Sequence, residues 1–328
     1  MHEKHMRREI PEWLIAARVM PEFPRSTVMW PLRIRLLAGV ATLAFAATAC
    51  GGASTKQSGG KGSTSAQGAR VTDIDDFTPS RFGNSALVDN KWFPLKPGTE
   101  FVYVGKVNQD NKRVSHRVVF TVTDLTKEID GVRTIVLYDR HYTGGELVEA
   151  ELTFHAQDKS GNVWNLGEYP EEYEDGKFEG APDTWIAGVK DARGGVIMQA
   201  HPRVGTPSYS QGLVPSIEFS DRAKVQKLGA KTCIPTSCYQ DVLVTNEWDP
   251  HEPGAHQLKY YAPGVGNVRV GFAGAKEKEK ETLVLGRLRH LGPSVMANIR
   301  HQVLATERRA YRVRKDIYGH TPPAKPME

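Results

Sequence analysis

Between residues 71 and 290, apolar and polar positions alternate in short runs separated by turn residues. Glu100–Lys106 (EFVYVGK) and Arg113–Thr126 (RVSHRVVFTVTDLT) alternate and are rich in β-branched side chains, the pattern of strands with one buried face. Val132–Arg140 and Glu146–His155 follow, joined through Thr143-Gly144-Gly145. Asp158 to Asn162 reads as a turn into Val163–Gly167, and Glu174-Asp175-Gly176-Lys177 reads as a tight hairpin. Later strands are predicted at Gly195–Gln199, Ile217–Lys227, Gln240–Trp248, His256–Tyr261, Val268–Phe272 and Glu281–Leu288. No part of this stretch sustains a 3.6-residue period. Successive strands with short turns favour an antiparallel meander, and a sheet of about a dozen strands must curl or close. The predicted fold class is therefore all-β: a curved antiparallel meander sheet or open barrel, followed by a C-terminal basic helix.

That helix is read from the tail, residues 291–328. Ser294 is the expected cap of a helix running to about Lys315, with Val295, Ile299, Val303 and Ala310 on one stripe. Arg300, Arg308, Arg309, Arg312, Arg314 and Lys315 make it basic. Two readings stand side by side: contact with anionic lipid headgroups, or a solvated, loosely attached helix. The closing residues, TPPAKPME, read as disordered.

Ahead of the β-region, Arg33 and Arg35 precede an apolar run, Leu36 to Ala47, which leads into Ala47-Thr48-Ala49-Cys50. As a helix this run would reach roughly 18 Å, short of a ~30 Å hydrocarbon core. It has the length of the apolar region of a secretory signal, and the arginines would hold its start on the cytoplasmic side. Residues 1–28 stand where a signal peptide would already have begun. Translation is expected to start at Met29, with a cytoplasmic extension as the alternative. Residues 51–70 are rich in Gly and Ser and cannot form a core. They read as a tether of roughly 25 Å average span. The domain plan is thus an extension (1–28), a signal peptide (29–49), a tether (50–70), a β-domain (71–290) and the tail (291–328).

The formal net charge is +5 over 328 residues, but the β-region carries 26 Lys and Arg against 31 Asp and Glu, a net of −5. The positive excess lies in the leader, tether and tail, so a basic nucleic-acid face is not supported. Of the 3 cysteines, Cys233 and Cys238 are expected to form a disulfide, given an export signal and hence an oxidising compartment. The spacing suits neither a C-x-x-C redox site nor, without further ligands, a zinc site.

No chemical motif survives a mechanical check. In His251-Glu-Pro-Gly-Ala-His256 the second histidine falls one residue late for a zinc-protease helix, and Pro-Gly breaks the helix. Gly264-Val-Gly266 lacks the third glycine of a dinucleotide loop. Ser208 and Ser210 lack the glycines of a nucleophile elbow. Asp158, Ser160 and Asn162 offer oxygens to calcium, yet no bidentate Glu follows at the right spacing, so a plain β-turn is expected. No catalytic residue, metal ligand or cofactor is assigned. Two clusters remain. One is aromatic and acidic, Trp164 to Phe178, read as a charge-solubilised hairpin or a recognition surface. The other is a wider aromatic set expected in the core or on the concave side of the sheet, where incomplete closure would leave an apolar cavity. Trp164, Tyr169, Trp185, Trp248 and Tyr260 are the candidate ligand-binding residues.

Residues Ala47 to Cys50 resemble the lipobox of bacterial lipoproteins, with Ala47 where that family prefers Leu. The resemblance implies that Cys50 becomes the mature N-terminus and carries thioether-linked diacylglycerol, and two or more acyl chains make such an anchor stable. Asn90-Lys-Trp-Phe-Pro-Leu-Lys-Pro-Gly-Thr and Lys259-Tyr-Tyr-Ala-Pro-Gly-Val-Gly, with AQDKSGNVW and TNEWDP, are similar to an uncharacterised group of secreted bacterial β-proteins. This resemblance implies export and an antiparallel sheet, and names no catalytic residue.

The resulting expectation is a lipoprotein anchored at the extracytoplasmic face of the cell membrane. It would be a non-catalytic module binding an apolar or amphipathic ligand, a lipophilic small molecule, or an envelope protein partner. The alternatives are a structural or interaction protein with no ligand cavity and an extracytoplasmic hydrolase. Membrane lipid, through acylated Cys50, is the partner that the lipobox resemblance implies.

Overall fold

The computed structural model describes residues 77–109 and 111–327. The apolar leader, Cys50 and the tether lie outside these residues. The β-region folds as a long antiparallel meander: β1 (Thr99–Gln109), β2 (Lys112–Ile129), β3 (Val132–Thr143), β4 (Glu146–Gln157) and β5 (Val163–Glu174) pair in sequence order. Short strands β6 (Lys177–Gly180), β7 (Trp185–Ile186) and β8 (Arg193–Met198) pair along β5. After β9 (Tyr209–Ser210) and β10 (Gly212–Leu213), a second meander follows: β11 (Arg222–Ile234), β12 (Ser237–Trp248), β13 (His256–Ala262), β14 (Gly266–Ala273) and β15 (Thr282–His290). β15 returns to pair with β1 and joins the two meanders into one sheet.

The sheet closes almost completely. One edge ends in β8 and β10, the other in β11 and β9, and β9 and β10 are separated by Gln211 alone. A single short segment therefore belongs to both edges. Glycine makes this approach feasible: a Cβ on Gly195 would stand 2.3 Å from the backbone of Gln211 and Gly212. The result is a barrel with a bridged seam, the closed form of the curved sheet expected from the strand pattern.

After β15 comes α1 (Pro293–Val313), then a short turn of helix, α2 (Lys315–Tyr318). Gly292, with no side-chain cap, occupies the N-cap position expected for Ser294, and Pro293 opens the first turn. The apolar stripe is shifted from expectation: Met296, Ile299, Val303 and Ala310 are buried, whereas Val295 is 42% exposed. This stripe packs on the outer face of β2 to β5, against Leu125, Ile129, Val136, Leu152 and Phe154. Each such side chain contributes roughly 1.5–3 kcal/mol when fully buried, so the helix is docked rather than loosely attached. Lys325–Pro326, in the segment expected to be disordered, forms β16 and pairs with Leu125-Thr126 of β2.

One end of the barrel is plugged by residues 86–97. Val88, Trp92 and Leu95 are buried there with Phe101, Val122, Ile135, Leu137, Val163, Met198, Leu243 and Val268. The sequence runs NKWFPLKPGT and YYAPGVG largely build this plug. The Asn90 side chain accepts from the backbone N–H of Trp92 and Phe93 and donates to the carbonyls of Gly161 and Gln199. Gly264, at φ 74°, donates its N–H to the Lys91 carbonyl at 2.7 Å, so NKWFPLKPGT and YYAPGVG meet. Asp158 accepts from the backbone N–H groups of Ser160 and Asn162, the Asn162 amide and the Trp164 indole. Residues 158–162 are therefore a closed turn. The Cys233–Cys238 disulfide is formed, across the tip of the β11–β12 hairpin.

Candidate functional site

Strand alternation sends every second side chain into the lumen. On β3 to β5 the register aligns Asp139 with Glu151, His141 with Glu149, and Thr153 with Glu168. These share a face with Phe101, Tyr103, Val118 and Phe120 of β1 and β2, the face that points inward. The alternate residues, Tyr138, Arg140, Ala150, Leu152, Tyr169 and Glu171, face out, toward α1 where it covers them. Toward the plug the inward positions are apolar; toward the opposite end they are acidic. From the far wall come Lys259 on β13, Glu247 and Thr245 on β12, Asp221 just before β11, Tyr209 on β9 and Glu281 just before β15.

This half of the lumen keeps space that solvent reaches. The side chains of Asp139, His141 and Glu149 are 15%, 17% and 15% exposed, and that of Lys259 28%, although all point inward. Phe93, from the plug, and Phe120 are partly buried at the boundary between the halves, their rings 6.3 Å apart. The plugged half is filled by side chains, so the accessible space is acidic with an aromatic floor. The apolar half of the lumen, where an apolar cavity would lie, is packed with side chains.

The electrostatics follow from crowding carboxylates in a shielded volume. Burial alone would push the His141 imidazole down, but the Asp139 and Glu149 carboxylates, each 3.6 Å away, outweigh it and hold the proton up to about 10. Burial raises Glu149 to about 7 despite His141. Burial, then Glu168, Glu149 and Asp139, push Glu151 well above the usual carboxylate range. Glu168 is also raised by burial, opposed by hydrogen bonds from the Trp185 indole and the Asn165 amide. Across the lumen, burial and then Asp249 raise Asp221 to about 7. Lys259 loses to burial and gains more from Glu247, 2.8 Å away, so it stays charged. The Thr245 hydroxyl donates to the other Glu247 oxygen. Near the rim, His116 lies 3.2 Å from Glu281, which accepts from Gln257, and its ring sits 5.6 Å from that of His141. Carboxylates outnumber the cations that face them. Several inward polar atoms have no hydrogen-bond partner, among them Asp139 Oδ1, His141 Nδ1, Thr153 Oγ1 and Asp221 Oδ1.

The five aromatic residues singled out from the sequence do not converge. Trp164 lies on the outer side beneath Phe77, Phe82 and the Arg81 guanidinium. Tyr169 is on the outer face against Tyr318 and donates to Glu171. Trp248 packs on His256 beneath Lys224, and Tyr260 lies under Arg269. Only Trp185 reaches the lumen group, through its hydrogen bond to Glu168. Sequence reasoning missed the lumen carboxylates themselves. Their signal was present as acidic residues two apart on consecutive strands, Glu149 and Glu151 facing Asp139 and His141.

A hydrolytic reading has one cluster to consider, Ser220, His251 and Asp249. Ser220 Oγ and Asp249 Oδ1 both address His251 Nδ1, at 3.2 and 2.8 Å. A nucleophile relay needs them on opposite ring nitrogens, and Asp249 also caps the backbone N–H of His251. The trio is a loop-closing turn. His251 lies in that loop and His256 opens β13, so they share no helix. Among the described residues, no three His, Cys, Asp or Glu side chains are grouped closely enough to hold a metal ion. No helix among them is long and apolar enough to cross a membrane.

No protein-family model matches the chain, and no curated protein matches it in sequence. Two solved structures resemble it. One is a protein assigned as exported, with a YmcC-like fold, from Bacteroides fragilis NCTC 9343. It is 15% identical with a TM-score of 0.32 over 60% of this chain and 98% of that one. The other is a protein assigned as a lipoprotein from Parabacteroides distasonis ATCC 8503. It is 12% identical with a TM-score of 0.35 over 61% of this chain and all of that one. Likenesses this remote carry no weight for function.

Proposed function

We propose that this chain is a cell-envelope lipoprotein, anchored through acylated Cys50, whose barrel is a non-catalytic binding module for an amphipathic ligand. One observation carries the reading: the accessible part of the lumen combines an aromatic floor, Phe93 and Phe120, with walls of polar and charged side chains that lack enough partners. A concave site of mixed lining inside a closed barrel is a ligand-binding arrangement. Unpartnered buried polar atoms are costly unless something meets them. A purely apolar ligand would strand those atoms, so the amphipathic class is favoured. The anchor rests on the lipobox resemblance and the Gly/Ser tether.

Two measurements test the parts separately. A Cys50→Ala variant should lose acyl mass and leave the membrane fraction; unchanged mass and fractionation would remove the anchor. Protein purified without detergent, extracted with organic solvent and examined by mass spectrometry should yield an amphiphile in near-stoichiometric amount. An extract without one would overturn the binding role.

A further inference from the structure

Inside the lumen, β3, β4 and β5 present a wall of like charge. Asp139 and Glu151 stand directly opposite in register, Glu149 lies two residues along from Glu151, and Glu168 pairs with Thr153 on the next strand. Like charges directly opposite on neighbouring strands destabilise a sheet, and Glu149 opposite Glu172 repeats the arrangement between β4 and β5. The wall's own cation, His141, lies between Asp139 and Glu149, and Lys259 is committed to Glu247. Glu151 is left without a facing cation, and Glu168 accepts from the Asn165 amide and the Trp185 indole and feels the Lys259 charge only from across the lumen. A second, independent feature lies beside them. Thr153 is 8% exposed, points from the same face, and its hydroxyl oxygen has no partner. The wall therefore offers several carboxylate oxygens and one hydroxyl acceptor, over an aromatic floor.

We infer that this wall is the receptor for the ammonium group of a primary amine, with Glu151, Glu168 and the Thr153 hydroxyl accepting its N–H bonds and Phe120 and Phe93 carrying the adjoining apolar part. The inference rests on the amphiphile-binding role proposed above and names the charge and chemistry of the headgroup. A primary ammonium suits the site because it has three donors and no acceptor. It turns a repulsive wall into a set of charge-assisted hydrogen bonds, and a shielded volume strengthens each of them. A carboxylate headgroup would face repulsion, and an uncharged one would leave the like charges uncompensated. Ammonium binding requires the carboxyls to be ionised, so protons leave the wall as the amine enters. The groups facing this exchange are Asp139, His141, Glu149, Glu172 and Thr153 beside the wall, and Lys259, Glu247, Glu281 and Asp221 across from it.

The test compares hexylamine, hexanol and hexanoate by calorimetry on the intact protein at pH 7.5, in wild type and in Glu151→Gln and Glu168→Gln variants. Both substitutions remove a repelling charge, and unfolding midpoints confirm that the variants are folded. Hexylamine should bind about tenfold or more tighter than hexanol, and each variant should lose about that factor for the amine alone. Amine affinity should fall as pH is lowered and the carboxyls take up protons. Equal binding of amine and alcohol would overturn the headgroup assignment and leave the amphiphile-binding role standing. Amine binding that both variants leave unchanged would also overturn it, by placing the amine elsewhere. Failure of all three probes would overturn both readings. Calcium binding at the wall with no amine binding would replace the amine with a metal ion and overturn the inference.

Discussion

The two faces of β2 to β5 treat buried charge in opposite ways. On the outer face the charges buried beneath α1 have their matches. The Lys127 ammonium, fully buried, meets Glu307 at 2.8 Å, the Tyr311 hydroxyl at 3.0 Å and the Pro322 carbonyl at 2.7 Å. Glu171, also fully buried, receives both arms of the Arg309 guanidinium and the hydroxyls of Tyr169 and Tyr173. Asp124 is matched by Arg300 and, on neighbouring β1, Glu100 by Arg289 of β15. On the inner face, one residue away along the same strands, Asp139, Glu149, Glu151 and Glu168 crowd together with His141 as their near cation. Charges that serve the fold are paired with it, because an unpaired buried charge costs several kcal/mol. Under the proposed role, the charges the fold leaves unmatched are where a ligand would be met.

This contrast can be broken first on its outer side. Lys127→Ala strands Glu307 beneath α1 and should cost about 3–5 kcal/mol in denaturant unfolding. Lys127→Met with Glu307→Leu, which removes both charges and keeps the volume, should recover most of it. Failure of the pair to recover would mean that the contact is not a matched couple. Arg309→Ala leaves Glu171 its tyrosines but no cation, and should cost about 1.5–3 kcal/mol by the same assay.

On the inner side the expected effects are smaller and depend on pH. His141 holds its proton to about 10, against 6.5 for a free imidazole. Its stabilisation is complete below pH 6.5 and is lost as pH rises toward 10. Glu149 and Asp221, held near 7, bind protons more tightly folded than unfolded, so stability also falls as pH rises from about 4 to 7. His155, buried beside Phe93 and pushed down to about 3, acts the other way below pH 6.5, where the unfolded chain takes up the proton first. Without ligand, the protein should therefore gain on the order of 2 kcal/mol between pH 8.5 and pH 6.5; below that, His155 offsets part of what the carboxyls continue to add. A melting temperature that rises with pH over this interval would contradict the crowding. The smallest effect sharpens the comparison most. Glu151→Gln should stabilise the ligand-free protein at pH 8.5 by up to about 1 kcal/mol, since it removes the charge opposite Asp139. Destabilisation would show Glu151 to be as well matched as Glu171.

Much of the fold was legible in the sequence because alternation is a local signal. The strands, the antiparallel order, the turns at Gly176 and Gly264 and the cross-strand cysteines all follow from residues near one another in the chain. Which face looks inward did not follow. Alternation is normally read as apolar in and charged out, and on half of β3 to β5 the opposite holds. Tyr138, Leu152 and Tyr169 face out because α1, far along the chain, covers them, which leaves Asp139, Glu151 and Glu168 to the lumen. The stripe of α1 was legible, but not the outer sheet face on which it docks. The same long-range fact misplaced the aromatic candidates: Trp164 and Tyr169 read as ligand contacts and serve as outer-face packing.

The proton occupancy of the lumen carboxyls tests the central claim most directly. A pH titration of carbon-13-labelled Asp and Glu side chains by NMR should show carboxyl signals with midpoints near pH 7; Glu149→Gln and Asp221→Asn should each remove one of them, leaving that of Glu279, which burial and its acidic neighbours also raise to about 7. If every carboxyl of the folded protein titrates below about pH 5, in the ordinary range for exposed groups, the inner face is as well matched as the outer one and the account fails.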